Sequence, residues 1–354
     1  MINANRLIDT LGVEAVILWN ISDWHRDPNF FYVTRLADGL HENSIAIISE
    51  SGIKVITSKL EEGIVRRYGL DAITLNSPTE LYEKLRELIG GAKRIGYVSS
   101  SLPVKYMEKL KAEIRNAEFV DVGDGFSRMR MIKDNDEINK IGRACDVISD
   151  VMKKVVDYIC EGISENELSA HVVYEILKRG GKPAFEPITS FEENAADPHY
   201  FHGARKLSRN EIVLIDIGAN VDLYNSDITR TISFGSWNNK KRDVFETVLN
   251  AQESAIDYIQ PGISGKDVHK IASDIIEKKY PGSFIHGLGH SLGIQVHDPG
   301  ALSSTSDIIL EPGMVFTIEP GAYFHSRFGI RIEDDILVTK SGAKILTNVP
   351  KKLF

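Results

Sequence analysis

Cysteine is scarce in this chain of 354 residues, which contains only Cys145 and Cys160. The pattern around them predicts one helix holding both, so a disulfide framework is excluded. We expect two small core side chains in a reducing compartment. No apolar run approaches membrane-spanning length, and the first residues lack the basic and apolar regions of a signal peptide. The sequence therefore predicts a cytoplasmic protein that binds no membrane.

Basic residues are too few for a nucleic-acid-binding surface. The chain has 42 Lys and Arg against 50 Asp and Glu, a formal net charge of −8. Binding to phosphate backbones needs a basic stripe, and none is visible in the sequence. A peptide or another small polar substrate fits this composition better.

Two carboxylates lie in or beside strongly hydrophobic strands. Residues 212–217 form a β-branched-rich run that predicts a buried strand containing Asp216. Residues 218–225 have turn chemistry, so Asp216 and Asp227 can lie side by side on adjacent antiparallel strands. A buried ionised carboxylate is costly unless a cation compensates it. The sequence therefore predicts a metal ion here.

The same pattern recurs about a hundred residues later. The segment around Glu319 aligns without a gap with the segment around Asp216, and Glu333 then takes the place of Asp227 in the following strand. The preceding helices also match at an offset of one hundred. We interpret residues from about 135 to 340 as two structural half-repeats that each give two acids to a shared centre.

The chain before residue 124 predicts an α/β domain without chemistry of its own. Its strand patterns lie at 15–19, 45–48, 54–57, 94–98 and 119–122, and its helical patterns lie at 79–89 and 103–114. Gly123-Asp124-Gly125 suggests a boundary, which gives domains 1–123 and 124–354. His25 and His41 are interpreted as solvated loop histidines, with a contribution to a neighbouring active site as the alternative.

Capping residues predict the helices of the second domain. Acidic residues at 134–137 begin a long amphipathic helix to about Cys160, Ser164 and Glu167 form a capping box for a helix to Arg179, and Ser264 and Asp267 begin the corresponding helix to about Tyr280.

Histidine-containing segments lie between these helices and the acid-bearing strands. His199 and His297 fall at nearly equivalent places in the two halves, whereas His290 breaks the symmetry and is flanked by glycines that allow close approach. Four acids with one imidazole can hold two divalent ions that activate a hydroxide for hydrolysis. These ligands suit Mn²⁺, Co²⁺, Fe²⁺ or Zn²⁺. Asp334 and Asp335 are expected to be surface or salt-bridged acids.

Four motifs carry a family resemblance. The segments DIGANVDLYNSDITRT (216–231), HGLGHSLGIQVHD (286–298), TIEPG (317–321) and GIRIED (329–334) together resemble the creatinase and aminopeptidase (M24) family, and within it the Xaa-Pro dipeptidases, or prolidases, and Xaa-Pro aminopeptidases. The resemblance covers nearly the whole chain. It implies an α/β (α+β) fold, with a creatinase-like N-terminal α/β domain and a pita-bread C-terminal domain built from pseudo-two-fold half-repeats. Leu288 and Ser291 depart from the commoner Thr and Gly.

The resemblance also implies roles for individual residues. Asp216 would chelate one metal, His290 and Glu319 the other, and Asp227 and Glu333 both, with Mn²⁺ or Co²⁺ expected first and Zn²⁺ or Fe²⁺ as alternatives. His199, His286 and His297 match positions that contact the substrate or the tetrahedral intermediate, and Arg331 matches an arginine that supports the acids. Glu319 would then handle the proton of the attacking hydroxide, and His199 or His297 would donate to the oxyanion or the leaving nitrogen.

The predicted substrate is a small peptide with proline at its second position, cleaved by a dipeptidase or, as the alternative, by an aminopeptidase that accepts longer peptides. A dipeptidase must meet the proline carboxylate with a cation or donor, for which Arg327, Arg26 and Arg35 are candidates. Rival hypotheses are a non-catalytic binding protein of this fold, a creatinase-type hydrolase without metal, and a methionyl aminopeptidase. A homodimer or larger even-numbered oligomer is expected.

Overall fold

The computed structural model describes residues 3–22 and 25–352, and the chain divides into two compact units after Arg130. The first unit keeps most of the helix Gly123–Met131, at whose start the sequence suggested a boundary. Phe126 of this helix is buried, and Arg130 donates through Nη1 to Asn29 Oδ1 of the first unit at 3.1 Å.

The first unit is built on a six-stranded mixed sheet with the strand order β4-β3-β2-β1-β5-β6. Its strands are β1 (Ala15–Asn20), β2 (Ser44–Ser49), β3 (Gly52–Thr57), β4 (Asp71–Thr74), β5 (Arg94–Tyr97) and β6 (Glu118–Asp121). Its helices are α1 (Ala4–Leu11), α2 (Pro28–Thr34), α3 (Glu62–Arg67), α4 (Leu81–Ile89), α5 (Val104–Glu113) and α6 (Gly123–Met131). Every residue of the central strand β1 is buried, which explains its continuous apolar run.

The prediction of solvated loop histidines is wrong for His41. Its side chain is fully buried against Phe30 and Phe31, and its Nε2 lies 2.6 Å from the carbonyl oxygen of Asp38. His25 is exposed, as predicted. The sequence around His41 did not predict its burial, because the aromatic side chains that contact it belong to α2.

The second unit contains four long helices and thirteen strands within the described residues. The helices are α7 (Asn135–Val155), α8 (Glu165–Lys178), α9 (Asn239–Tyr258) and α10 (Gly265–Lys279). The strands are β7 (Lys182–Pro183), β8 (Ile188–Phe191), β9 (Glu211–Ile217), β10 (Ala219–Val221), β11 (Tyr224–Asn225), β12 (Ile228–Phe234), β13 (Gly289–Ser291), β14 (Asp298–Leu302), β15 (Val315–Ile318), β16 (Gly321–Phe324), β17 (Phe328–Arg331), β18 (Asp334–Thr339) and β19 (Gly342–Ile345).

The predicted capping residues begin these helices. Asp134 and Glu137 form a full capping box at α7, and Ser164 and Glu167 form one at α8. At α10, the side chain of Ser264 accepts a hydrogen bond from the backbone N–H of the residue three positions later. Each cap satisfies an N–H group that would otherwise lack a partner in the first helical turn.

The two predicted half-repeats are visible in the structure. In the first half α7 and α8 pack on a sheet of order β12-β9-β8, and in the second half α9 and α10 pack on a sheet of order β14-β13-β15-β18-β19. Gly162 and Gly262 both adopt a positive φ, of 86° and 89°, before the second helix of each half. Their N–H groups donate to Leu207 and Leu310 at corresponding places.

Cys160 does not lie in the long helix as predicted. Helix α7 ends at Val155 and tightens into the 3-10 turn Val156–Tyr158, after which Gly162 turns the chain toward the backbone of Leu207. Cys160 is therefore exposed, whereas Cys145 is buried as expected, and neither forms a disulfide.

Candidate metal centre and substrate cavity

Four acids converge because each half supplies a pair of antiparallel strands. In the first half Asp216 lies in β9 opposite Thr229, and Asp227 immediately precedes β12. In the second half Glu319 follows β15 and Glu333 precedes β18, the two strands being paired up to that point. The acids therefore sit where paired strands of each half end, and all four line one cavity.

His290 approaches the acids from β13, the strand next to β15. Its Nε2 lies 3.5 Å from Glu319 Oε1 and 3.8 Å from Asp227 Oδ2. A Cβ at Gly289 would come within 1.9 Å of the carbonyl oxygen of Thr317, so glycine is required for this approach. The prediction that glycines allow His290 to come close is confirmed for Gly289.

The donor set fits a divalent cation. Three donor atoms, one each from Asp227, His290 and Glu333, lie within 4.8 Å of one another. Oδ1 of Asp216 and Oδ1 of Asp227 are buried and have no hydrogen-bond partner among the described residues. Buried carboxylate oxygens without a proton donor are costly unless a cation neutralises them.

Electrostatics lead to the same conclusion. Burial, followed by the neighbouring carboxylates, raises the pKa of Asp227 and of Glu333 well above the usual range, and burial raises the pKa of Glu319 to about 8. Burial and then the nearby His297 lower the pKa of His290 to about 4. His290 is thus neutral at pH 7, which is the form that binds a metal. The acids oppose their own ionisation, which a bound cation would reverse.

A second layer of side chains orients the acids. Thr229 donates through its hydroxyl to Glu333 Oε2 at 2.6 Å, and Thr317 donates to Glu319 Oε1 at 3.3 Å. Arg331 donates through Nη2 to Asp216 Oδ2 at 2.5 Å. Such contacts fix ligand geometry and strengthen metal binding. Neither threonine was singled out from the sequence, although each lies within a motif quoted there.

The acids after Glu333 differ from expectation because neither lies on the surface. Asp334 is salt-bridged as predicted, but to the fully buried Arg230 at 2.7 Å. Asp335 is also fully buried, and its Oδ2 accepts the backbone N–H of Asp227 at 2.8 Å. The alternation of β18 puts these acids on opposite faces, both of which are covered.

Three further histidines and Arg331 line the same cavity as the acids, and its volume is about 820 Å³. The nine predicted site residues all line it, and they are Asp216, Asp227, His290, Glu319, Glu333, His199, His286, His297 and Arg331. The ring centroids of His290 and His297 are 4.1 Å apart. The hydroxyl of Tyr323, which the sequence did not indicate, accepts from Arg331 Nη1 at 2.8 Å and lies 2.9 Å from His286 Nε2.

Comparison with known proteins agrees with this geometry. Residues 139–340 match the metallopeptidase family M24, and residues 3–132 match the creatinase/prolidase N-terminal domain. The chain belongs to metallopeptidase family M24. The resemblance noted in the sequence and the fold it implied are therefore confirmed.

Relatives of this M24 chain match it along nearly its full length. It is 36% identical over 352 residues to the Xaa-Pro dipeptidase of Pyrococcus horikoshii. The aligned region covers 98% of this chain and 96% of the relative. The crystal structure of the prolidase from Pyrococcus horikoshii OT3 gives a TM-score of 0.88 at 34% identity, covering 99% and 98% of the two chains. The X-Pro aminopeptidase from Thermotoga maritima gives a TM-score of 0.92 at 29% identity, covering 99% of both chains.

The M24 cavity is lined by apolar side chains and by few cations. Its apolar side chains include Phe185, Ile188 and Phe201. Among the described residues that line the cavity, Arg331 is the one Lys or Arg, and its guanidinium is already bonded to Asp216.

The arginines proposed from the sequence for a substrate carboxylate do not line the described cavity wall. Arg327 is exposed in the turn between β16 and β17. Arg26 and Arg35 belong to the first unit, where their guanidinium groups lie 4.2 Å and 4.7 Å from the ring centroids of Phe31 and Tyr32.

The lengths and polarity of the helices show whether any of them could span a membrane. Among residues 3–22 and 25–352, each helix is either too short or too polar to cross a lipid bilayer.

Proposed function

We propose that this M24 chain is an Xaa-Pro dipeptidase, which hydrolyses the peptide bond preceding proline with the help of divalent metal ions. The observation that carries the proposal is a cavity lined by five carboxylate and imidazole donors, three further histidines and Arg331. Family membership and similarity to the Xaa-Pro dipeptidase of Pyrococcus horikoshii support it.

The proposed metal centre holds two divalent ions, with Mn²⁺ or Co²⁺ expected first and Zn²⁺ or Fe²⁺ as alternatives. Asp216 would hold one ion, His290 and Glu319 the other, and Asp227 and Glu333 both. The unpartnered carboxylate oxygens of Asp216 and Asp227 support this assignment. When bound, such ions polarise a carbonyl group and lower the pKa of water to near neutrality.

The chain's own residues then position the substrate and move protons. Glu319 lines the cavity and, as a carboxylate, would take the proton of the attacking water. Burial lowers the pKa of His297, so its neutral imidazole can donate an N–H to the developing oxyanion. His199 lines the same cavity and can serve the oxyanion or the leaving nitrogen.

Arg331 and Tyr323 connect the acids to the histidines. Arg331 bonds Asp216 on one side and the hydroxyl of Tyr323 on the other, and that hydroxyl contacts His286. Burial and then the positive charge of Arg331 lower the pKa of His286 to about 4. The hydrogen bonds hold the His286 imidazole in one orientation, while burial and the charge of Arg331 keep it neutral at pH 7.

A peptide panel tests the proposed activity. The metal-loaded protein should hydrolyse Ala-Pro and Met-Pro and leave Ala-Ala and Pro-Ala intact, with amino acid release measured by chromatography. Equal turnover of Ala-Ala would mean that the site does not select proline. Turnover of none of the four would favour a non-catalytic binding role, against which the complete donor set argues.

An Xaa-Pro aminopeptidase that acts on longer peptides is the second candidate. The specific observation that favours it is the lack of an uncommitted Lys or Arg among the described cavity-lining residues, because a dipeptidase must meet the proline carboxylate. Comparing kcat/KM for Ala-Pro with that for Ala-Pro-Ala distinguishes the two. A tripeptide cleaved as well as the dipeptide would favour the aminopeptidase.

Assembly into a homodimer or a larger even-numbered oligomer is proposed from the family resemblance and from a separate first unit in which the sequence shows no catalytic pattern. Light scattering at micromolar concentration should give at least twice the mass of one 39.5 kDa chain. A monomer would contradict this proposal. Cytoplasmic location stays a prediction.

A further inference from the structure

A buried lysine lies behind the part of the cavity that carries His297. Only 1% of the Lys133 side chain is exposed, and its Nζ donates to Ser291 Oγ at 2.9 Å and lies 3.7 Å from Asp298 Oδ2. Ser291 and Asp298 are paired directly across the β13/β14 ladder. The ammonium group therefore contacts both ends of the intervening segment, which we call the 291–298 loop.

The 291–298 loop forms one wall of the cavity. Gln295, Val296 and His297 line it, and the imidazole of His297 packs beside that of His290. Between its paired ends the loop has no helix or strand, so its shape depends on the groups that hold it.

Other contacts of the loop place its backbone close to Asp298. Asn225 donates through Nδ2 to the carbonyl oxygens of Gly293 and Ile294 at 2.9 Å each, and Asp298 Oδ1 accepts the N–H of Gln295 at 3.2 Å. A Cβ at Gly293 would lie 2.5 Å from Asp298 Oδ2. The loop is therefore closely packed around the same carboxylate that Lys133 faces.

We propose that Lys133 is a positioning residue for the reaction: it neutralises Asp298, bonds Ser291 and thereby fixes the 291–298 loop so that His297 faces the substrate. The kinetic part of this inference rests on the proposed function. The side chain of Asp298 is 2% exposed, and a carboxylate at that depth needs a cationic partner. A compact ammonium with three N–H groups can serve both loop ends at once, and replacing it releases both.

The test compares Lys133→Met with a matched control, Lys241→Met. Lys241 is also a buried lysine of the second unit, with 8% of its side chain exposed and Nζ 2.5 Å from Glu192 Oε1, and it does not line the cavity. Both variants lose a buried cation, and Lys133→Met should lose more stability because Asp298 is 2% exposed whereas Glu192 is 21% exposed. They are compared at a temperature where circular dichroism shows both folded, on whichever peptide the wild type cleaves best.

We expect Lys133→Met to lower kcat by about 100-fold, the effect of a displacement of roughly 1 Å near the reacting groups. Its KM and its metal content should stay close to those of the wild type, and Lys241→Met should keep its kcat. Adding Asp298→Asn to Lys133→Met should cost no further activity, because both changes remove the same contact. Equal kcat in the two lysine variants, or loss of metal in Lys133→Met, would overturn the proposal.

Two further measurements test the proposal if Lys133→Met does not fold or if the wild type shows no activity. If Lys133→Met does not fold, Ser291→Ala and Asp298→Asn replace it, and each should show the same loss of kcat. A kcat equal to that of Lys241→Met, or loss of metal, would again overturn the proposal. Histidine ¹³Cε1 NMR, with the His297 resonance assigned from His297→Asn, needs no substrate. That resonance should move in Lys133→Met, or in the replacement variants, and stay in place in Lys241→Met. An unchanged resonance overturns the role of Lys133, whereas a wild type inactive on Xaa-Pro peptides overturns only the proposed function.

Discussion

Arg331 donates through Nη2 to Oδ2 of Asp216 at 2.5 Å, and this ion pair joins the end of the first half-repeat's strand β9 to the second half-repeat's strand β17. The guanidinium bonds one carboxylate oxygen of Asp216, and the other oxygen has no hydrogen-bond partner in the described part of the chain. The pair therefore links the two halves at the candidate metal centre.

Replacing Arg331 by lysine should lower kcat/KM by about 10- to 100-fold, because a single ammonium cannot hold Asp216 and Tyr323 in the fixed geometry of a guanidinium. Arg205→Lys is the control, since Arg205 also pairs with two acids, Glu193 and Glu211, outside the cavity. Steady-state kinetics on Ala-Pro measures both. Comparable losses in the two variants would argue against the role of Arg331.

Thr229→Val removes a hydroxyl without changing side-chain shape much. Its hydroxyl donates to Glu333 Oε2 and accepts from Arg331 Nε at 3.2 Å, so its loss should lower metal affinity or activity by about 10-fold or more. Thr231→Val, two residues along β12, removes a buried hydroxyl that hydrogen-bonds the backbone of Arg331. Metal titration followed by calorimetry should separate the two variants, and equal metal affinities would refute the prediction.

Gly289→Ala should abolish most of the activity. The new Cβ would lie 1.9 Å from the carbonyl oxygen of Thr317, so the backbone next to His290 must shift. Gly142→Ala in α7 is the control, because a Cβ there meets no atom within 4 Å and should stabilise the helix by up to about 1 kcal/mol. Thermal melting and kinetics check both expectations. A fully active Gly289→Ala protein would show that this close approach is not needed.

The metal-free protein should lose stability as the pH rises from 6.5 to 8. The folded pKa of Glu319 is raised by burial to about 8, and those of Asp227 and Glu333 are raised as well, so the folded state binds the extra protons and their stabilisation is lost as the pH rises. Burial lowers the pKa of His290 from 6.5 to about 4, so its contribution makes stability rise with pH, but only below about pH 6.5.

Calorimetry of chelated protein measures this pH dependence. The Tm should fall between pH 6.5 and 8, and the double variant Asp227→Asn/Glu319→Gln should show a smaller fall because it lacks two of the titrating carboxyl groups. A Tm that stays level or rises over this range would contradict the pKa directions described for the site.

The sequence was sufficient for most strands of the first unit, which depend on local patterns, and for the half-repeats, which depend on a match between segments about a hundred residues apart. Five of the six strands in the sheet that contains β1 were predicted from their strand patterns, and α8 was predicted from the Ser164–Glu167 capping box. The elements α1, α2, α3, α6 and β4 were not predicted. Eight of the nine site residues could be named because they fall in the four motifs that resemble a known family, and His199 was named from its place between the helices and the acid-bearing strands.

The supporting contacts could not be predicted because they join residues far apart in the chain. Lys133 meets Ser291 across 158 positions, and Asp335 meets the backbone of Asp227 across 108. Burial of His41 likewise depends on packing that no local pattern records. Each of these side chains has an ordinary surface interpretation until the fold brings its partner close.

The central claim is that five residues of the second unit hold divalent metal ions required for hydrolysis before proline. The most direct test measures Ala-Pro hydrolysis and bound metal in exhaustively chelated wild type and in Asp227→Asn, before and after addition of Mn²⁺ or Co²⁺. We expect no hydrolysis by the chelated wild type, recovery on adding metal, and loss of most activity in Asp227→Asn even with metal present. Full activity in the chelated wild type or in Asp227→Asn would contradict the claim.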